Sequence, residues 1–547
     1  MKKILSLSVI ILLLTVAGGC DSFLDTTPTD RISDKVVWQE LETVTMYCNT
    51  FYAYIDRYGM YASPSQFSGN LTEGLTETFK YGSNVSGSRA GDANMIVFNP
   101  SRIGPDQNLL NVWATTYERI RRVNEFLVNM RDFANFDETT NRTFEAQARF
   151  FRAYLYFQLA KRHGGVILYT DLNFEQNKAR SSADDTWNLI ESDLDFAASV
   201  LPREWDAANA GRLTKGAVFA FKSRAMLYAE RWLSAKVAAD SVFALNKYSL
   251  TDNYADAWKG NNSESILEYQ YRVTGPSHNF DMAYATFGEH DEAGGAGGPT
   301  QEMVEAYEKA DGTAVDWSTW HGTTTTSPPY SQLEPRFHAT VIYNGSTWQG
   351  KIMQNSVDGT NGRYMEYRAE AYPKGKTTTG YYLRKLRDEA HTDLTLLSAQ
   401  SLVEIRLAEV YLNRAEANYR LNSPAQALSD MNAVRTRTGV NLPPKTGLSG
   451  NALFDAIRQE RKIELAYEGH LYWDMRRWRL AHQNYPVGYN SYRVHGLKIT
   501  YKNSSYEYEY VDCDKEDRSF LTKLYVLPIP NGELNNNSLI EQYDEWK

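Results

Sequence analysis

Gln400 to Pro424 reads QSLVEIRLAEVYLNRAEANYRLNSP. Leu402, Ile405, Ala408, Leu412, Ala415 and Tyr419 recur at intervals of three or four, the period that places side chains on one face of an α-helix, and a helix is expected over 400–421. The alanines on that stripe permit close approach of a neighbouring helix. Ser423-Pro424 follows as an N-cap with proline at the first helical position, where a missing N–H is harmless. The helix it opens carries Leu428, Met431 and Val434, and Gly439 closes it. A connection this short folds the second helix back on the first.

The same pattern extends outward in both directions. Downstream, a helix is expected from about Ala452 to Glu468. Upstream, Leu110, Trp113, Tyr117, Ile120, Asn124 and Leu127 mark one face over 107–133, which places Trp113 in the core. Thr143 to His163 carries two apolar stripes, Phe144, Ala148, Phe151, Leu155 and Leu159 on one and Phe150, Ala153 and Phe157 on the other; a helix apolar on two faces is buried on two faces. Gly164-Gly165 ends it. Residues 184–200 form another candidate, Thr214 caps 215–232, and Ser234 opens a partner through Leu245. No clean repeat period emerges. Residues 250–397 differ: they are rich in Gly, Thr, Tyr and Trp, with short strand-like runs at Ile266–Tyr271 and Ala339–Tyr343. A second irregular stretch covers 484–520. The expected fold is mostly α, a helical-hairpin scaffold over 36–250 and 398–480 with a loop-rich, partly β insertion over 250–397 and an irregular C-terminal segment, 481–547. Loops held on a rigid scaffold are where binding sites usually sit.

The N-terminus sets the compartment. Lys2 and Lys3 precede an apolar run from Ile4 to Val16, and Ala17-Gly18-Gly19 leads into Cys20. The run is too short to span a bilayer and has the flanks of a secretory signal, expected over 1–19. The ending resembles a bacterial lipobox, with Ala17 where a larger aliphatic residue is usual, so Cys20 is the expected lipidation site. Residues 20–35, polar and turn-rich with Pro28, read as the tether, and 36–547 as one domain. Several acyl chains are needed to make such an anchor durable.

With 67 acidic against 58 basic residues the chain has a net charge of −9, and no basic patch recurs, which argues against nucleic acid. Aromatic content is 13%, with 37 Tyr and 12 Trp, side chains suited to wet binding surfaces as well as cores. Cys48 sits in a helix-like apolar run and reads as core; whether it pairs with Cys513 is open at this level. Standard catalytic signatures are missing: no G-x-S-x-G, H-E-x-x-H, P-loop or C-x-x-C. Glu460, Glu464 and Glu468 at i, i+4, i+8 offer carboxylates at glycosidase-like spacing, but Arg458, Arg461 and Lys462 beside them favour structural ion pairs. Asp512, Asp514, Glu516 and Asp517 lack the Gly and Glu positions of an EF-hand and read as a solvated acidic loop. Glu289-His290-Asp291-Glu292 reads as a turn. No cofactor and no metal site is expected, with a structural calcium ion left open.

Several runs together resemble the SusD/RagB family of outer-membrane nutrient-binding lipoproteins. They are Cys20-Asp21-Ser22-Phe23-Leu24-Asp25, Ala148 to Tyr154 continuing to Gly165, Leu213 to Ala217, Arg406 to Glu416, Ile457 to Leu465 with Glu468-Gly469-His470 and Trp473 to Trp478, and Leu527 to Leu534. They span almost the whole chain. The ending Gln542-Tyr543-Asp544-Glu545-Trp546 departs from the Asn-Pro-Gly-aromatic run frequent in the family. The resemblance implies tetratricopeptide-like hairpins as scaffold and a less regular face that binds a glycan. It also implies a non-enzymatic role on the cell surface, at the outer membrane, beside a SusC-like TonB-dependent transporter. Alternatives are a peptide ligand, as in RagB-like members, a lipid-anchored glycoside hydrolase, or a helical scaffold for other lipoproteins. For ligand capture, aromatics in loop-like contexts are expected to serve: Trp317, Trp320 and Trp348, with Phe79 and Tyr81 beside Asn84 and Arg89.

Overall fold

The computed structural model describes residues 34–57, 71–82, 96–173, 175–290, 292–370, 372–483 and 492–547. The signal segment, Cys20, Asn84, Arg89 and Asp291 lie outside them, as does most of the tether. A first run of helices comprises α1 (Leu41–Thr50), α2 (Trp113–Phe133), α3 (Glu138–His163), α4 (Ala183–Val200), α5 (Lys215–Tyr228) and α6 (Trp232–Ala244). A second comprises α7 (Leu407–Arg420), α8 (Pro424–Arg435), α9 (Gly450–Glu464) and α10 (Leu471–Arg477). From α2 to α6 each helix packs on the next; α7 closes on α6 and α5, and α8 and α9 pack on α7. The scaffold is therefore mostly helical, built of tetratricopeptide-like hairpins that bracket a loop-rich, partly β insertion.

Local chemistry sets the helix ends. The Asp137 carboxylate accepts from Thr140 N at 2.9 Å to start α3, and Gly164, at φ +72°, ends it. Both stripes of α3 are buried, one in the groove toward α2 and the other toward α4 and α5. Burying each Phe or Leu fully contributes about 1.5–3 kcal/mol. Thr214 caps α5 by accepting from Ala217 N at 3.3 Å. Helix α6 begins two residues before Ser234, whose hydroxyl instead bonds Glu191. Pro424 opens α8, although the Ser423 side chain makes no cap bond.

The strands are β1 (Phe79–Tyr81), β2 (Ser265–Tyr269), β3 (Gly297–Pro299), β4 (Thr323–Thr324), β5 (Val341–Ile342), β6 (Thr347–Trp348), β7 (Lys351–Ile352), β8 (Tyr382–Leu383), β9 (Leu402–Arg406), β10 (His495–Lys502) and β11 (Ser505–Asp512). They form small antiparallel sheets in the orders β1-β3, β2-β9, β5-β8, β6-β7 and β10-β11-β4. Two expectations are corrected here. Leu402 to Arg406 is a strand, with Leu402 opposite Tyr269 and Ile405 opposite Leu267. Over five residues a three-residue spacing does not separate helix from strand, and the partner lies far upstream in sequence. The stretch 484–520 contains the β10–β11 hairpin, turned by Asn503 and Ser504, both at positive φ (49° and 64°), the left-handed pair that a two-residue hairpin turn requires.

Two large apolar clusters divide the interior, one centred on α3 and its neighbours, the other on the insertion and the β10–β11 hairpin. A buried ionic network ties the insertion to the second helical run. Arg406, 1% exposed, holds Glu264, Glu464 and Glu468 at 2.7 Å each. Arg437 joins Glu264 at 2.5 Å and Glu464 at 3.0 Å, Arg336 joins Glu460 at 2.5 Å and Glu464 at 3.0 Å, and Lys385 joins Glu468 at 2.6 Å. The three glutamates are structural ion pairs, as their basic context suggests, but with other partners: Arg461 goes to Asp474, Lys462 to Glu77 and Arg458 to Asp455. Burial alone would raise the Glu464 and Glu468 carboxyls; the surrounding Arg and Lys charges outweigh it and hold each at about 2. Cys48 and Cys513 are both free and buried, Cys48 on the inward face of α1 and Cys513 donating to Thr378 O at 3.0 Å, so no disulfide joins them.

Candidate functional site

The aromatic residues singled out from sequence lie inside the protein. Trp317 and Trp320 pack edge to face at 5.5 Å, and the Trp320 indole N–H donates to Thr326 O at 3.0 Å. Trp348, 2% exposed, donates to Glu289 at 3.0 Å with the Arg387 guanidinium 4.6 Å from its ring. Phe79 is surrounded by Tyr81, Tyr284 and Tyr467, and the Tyr81 hydroxyl donates to Leu71 O at 2.6 Å. Placement in a loop-rich region did not mean exposure: these large rings fill the interior that short strands and turns leave open, and none of the five presents a ring face to solvent. Trp113 is core as expected, its indole N–H donating to Glu533 at 3.2 Å.

Exposed rings stand elsewhere on the loop-rich side. Tyr372 is 63% exposed and Tyr492 is 51% exposed, on loops that salt bridges tie together. Arg368 bonds Glu516 at 2.7 Å, Arg493 bonds Asp517 at 2.8 Å and Asp512 at 3.0 Å, and Arg518 N donates to Tyr492 O at 2.9 Å. Beside Tyr372, Lys376 pairs with Glu370 and Lys374 with Glu292 at 2.9 Å. Each of these open phenol rings thus stands on a loop that carries paired charged side chains.

The loops stand on a buried polar base. Lys80, in β1, pairs with Asp514 at 3.0 Å and lies 3.6 Å from the centroid of the Tyr367 ring. Asp514 also holds Arg518 at 2.7 Å, and Arg518 donates to Thr76 O at 2.5 Å. Burial pushes the Lys80 ammonium down to about 8 against the pull of Asp514; burial would raise Asp514, but Arg518 and Lys80 keep it low. The acidic run 512–517 is solvated except at Asp514: Asp512, Glu516 and Asp517 are exposed, each paired with an arginine, whereas Asp514 is wholly inside. Glu289 likewise serves the interior, bonding Arg387 at 2.8 Å, while His290 Nδ1 accepts from Glu292 N and Ala293 N in a turn.

A phenol ring offers an apolar face with a polar edge, the arrangement that suits the C–H face and hydroxyl edge of a sugar. Charged groups at the rim can hydrogen-bond hydroxyls without a reactive centre between them. Sequence reading passed over Tyr372 and Tyr492. The available signal was the turn chemistry of Tyr372-Pro373-Lys374-Gly375, with proline and glycine holding the ring at the surface.

Residues 263–546 match the model of the SusD family, and residues 23–227 match a second model described as starch-binding associating with outer membrane. A SusD-like protein of Formosa agariphila is 24% identical over 501 residues, covering 88% of this chain and 93% of that one. A SusD-like protein of Bacteroides ovatus is 25% identical over 401 residues, 68% of this chain and 66% of its own. Among solved structures, a SusD-like protein of Bacteroides fragilis superposes with a TM-score of 0.78 at 27% identity, over 94% of this chain and 99% of that one. A SusD-like carbohydrate binding protein of the same organism gives 0.77 at 25% identity, over 92% and 100%.

Proposed function

Because the chain belongs to the SusD family, whose members bind glycans at the cell surface in partnership with SusC-like TonB-dependent transporters and are not enzymes, we propose that it captures a glycan on the face carrying Tyr372 and Tyr492. It then delivers the glycan to a SusC-like transporter in the outer membrane, held there by an acylated Cys20. The observation that carries the placement is the pair of exposed rings on loops cross-linked by Arg368–Glu516 and Arg493–Asp517. Rigid loops lower the entropy lost on binding, so weak stacking contacts suffice. No step of covalent chemistry is required: affinity must be modest enough for release into the transporter.

Affinity electrophoresis of the mature chain against a panel of polysaccharides tests this placement. One glycan should retard the protein without being cleaved. Tyr372→Ala and Tyr492→Ala should each weaken that binding about tenfold, roughly 1.4 kcal/mol. Retardation untouched by both substitutions moves the site elsewhere. Binding of peptides in place of every glycan replaces the ligand class.

A further inference from the structure

We propose that a cleft remote in sequence from the aromatic face is a second ligand site, built for an anionic saccharide, one bearing a uronate carboxylate or a sulfate ester. The cleft has a volume of about 820 Å³, within the range of small-molecule sites. Its walls come from the loop before α5, the turn at 261–263, strand β2 and the end of α1.

The charge of the lining is the first observation. The chain is acidic overall, yet the cleft is lined by Arg212, Lys247 and Arg272 against a single carboxylate, Glu268. That carboxylate is turned toward its own loop, accepting from Asn261 N and from Gln270 Nε2 at 2.8 Å each. Lys247 reaches Glu204 at 3.4 Å. Arg212 is half-buried and Arg272 exposed, and neither guanidinium has a hydrogen-bond or ion-pair partner among the described residues. Several other arginines of this protein are held by carboxylates, as Arg336, Arg406 and Arg437 are. An arginine fork is matched to planar or tetrahedral oxyanions, and two of them facing one cleft favour such a group.

The second observation is unfilled hydrogen-bonding capacity. Ser265 is a wall residue of the cleft, and its hydroxyl is buried with no partner among the described residues. Buried polar atoms are normally satisfied, so this orphan in a wall residue leaves hydrogen-bonding capacity that the protein itself does not fill. The side chains of Asn49 and Asn261 also line the cleft without a bond to described residues, and Tyr248 adds a half-buried ring. Cations for one anionic group, with amides and hydroxyls around it, fit a charged sugar better than a neutral one or an apolar ligand.

Calorimetry on the whole mature chain decides it, with an oligogalacturonate, a sulfated galactan oligosaccharide and neutral maltohexaose as probes. One of the two anionic probes should bind, more weakly as salt rises, and the pair tells a carboxylate from a sulfate. Arg212→Gln with Arg272→Gln should cost at least tenfold in affinity, and Asn49→Asp, an exposed change that adds a negative charge to the wall, should weaken it as well. Tyr372→Ala should leave this binding intact, which separates it from the aromatic face. The proposal fails if neither anionic probe binds, if maltohexaose binds the cleft as tightly, or if binding survives the double arginine change and Asn49→Asp. It fails also if an acidic peptide such as hexaglutamate occupies the cleft and the saccharides do not.

Discussion

Replacing Arg406 with methionine removes the cation at the centre of the buried network while keeping most of the side-chain volume. Its guanidinium is 1% exposed and bonds three carboxylates and the Glu464 carbonyl oxygen. Without it, Glu264 and Glu464 keep Arg437, but Glu468 keeps only Lys385. Breaking a buried pair from one side costs about 3–5 kcal/mol, because the remaining charge cannot be resolvated. The pH dependence follows from the carboxyls. Glu464 and Glu468, at about 2 when folded against 4.5 as the ordinary value, contribute stability that is complete above about pH 4.5 and is lost as pH falls toward about 2. The variant has already lost much of that contribution. Its deficit against the parent should therefore be largest at neutral pH and should narrow between pH 4.5 and 2. Urea unfolding followed by tryptophan fluorescence at several pH values measures both quantities. A deficit under about 1 kcal/mol at pH 7, or one that stays constant down to pH 3, would refute an electrostatic role for this arginine.

Trp317→Ala should destabilise by about 3–5 kcal/mol through the cavity it leaves, without changing glycan affinity of the folded fraction; a selective loss of affinity at unchanged stability would return Trp317 to the binding site. Cys48 is pushed up to about 12 by burial, and Cys513 well above its ordinary value by the same cause. Both thiols should resist iodoacetamide at pH 8 in the native protein and react in denaturant, and rapid native labelling of either would contradict their burial. Gly380 has φ +84°, and a Cβ there would lie 2.2 Å from Leu497 O. Gly380→Ala should cost about 1–3 kcal/mol and loosen the β10–β11 hairpin from the insertion, seen as faster amide exchange in that hairpin.

The helical scaffold was legible because its signals are local. Asp137, Thr214 and Pro424 mark helix starts, Gly164 marks a stop, and the two stripes of α3 announce burial on both sides. Strand β9 was misread because its pairing partner, β2, cannot be found by looking at five residues. Glu460, Glu464 and Glu468 were legible as structural but not by partner: their cations come from Arg336, Lys385, Arg406 and Arg437, spread over a hundred residues.

The candidate site shows the limit most clearly. A tryptophan in a glycine- and threonine-rich run has the composition of a binding loop, and Trp317, Trp320 and Trp348 have it, yet each is interior. Whether a ring faces water depends on which distant chain covers it, as Glu289 and Arg387 do for Trp348. Periodicity, caps and the family runs determined from sequence alone that this chain is a helical-hairpin protein of the SusD type, because those features act over a few residues. Exposure of Tyr372 and Tyr492, the lack of a partner for Arg212 and Arg272 among the described residues, and the partners of the buried glutamates were decided only by tertiary structure, because burial and charge pairing are properties of segments brought together from far apart in the chain.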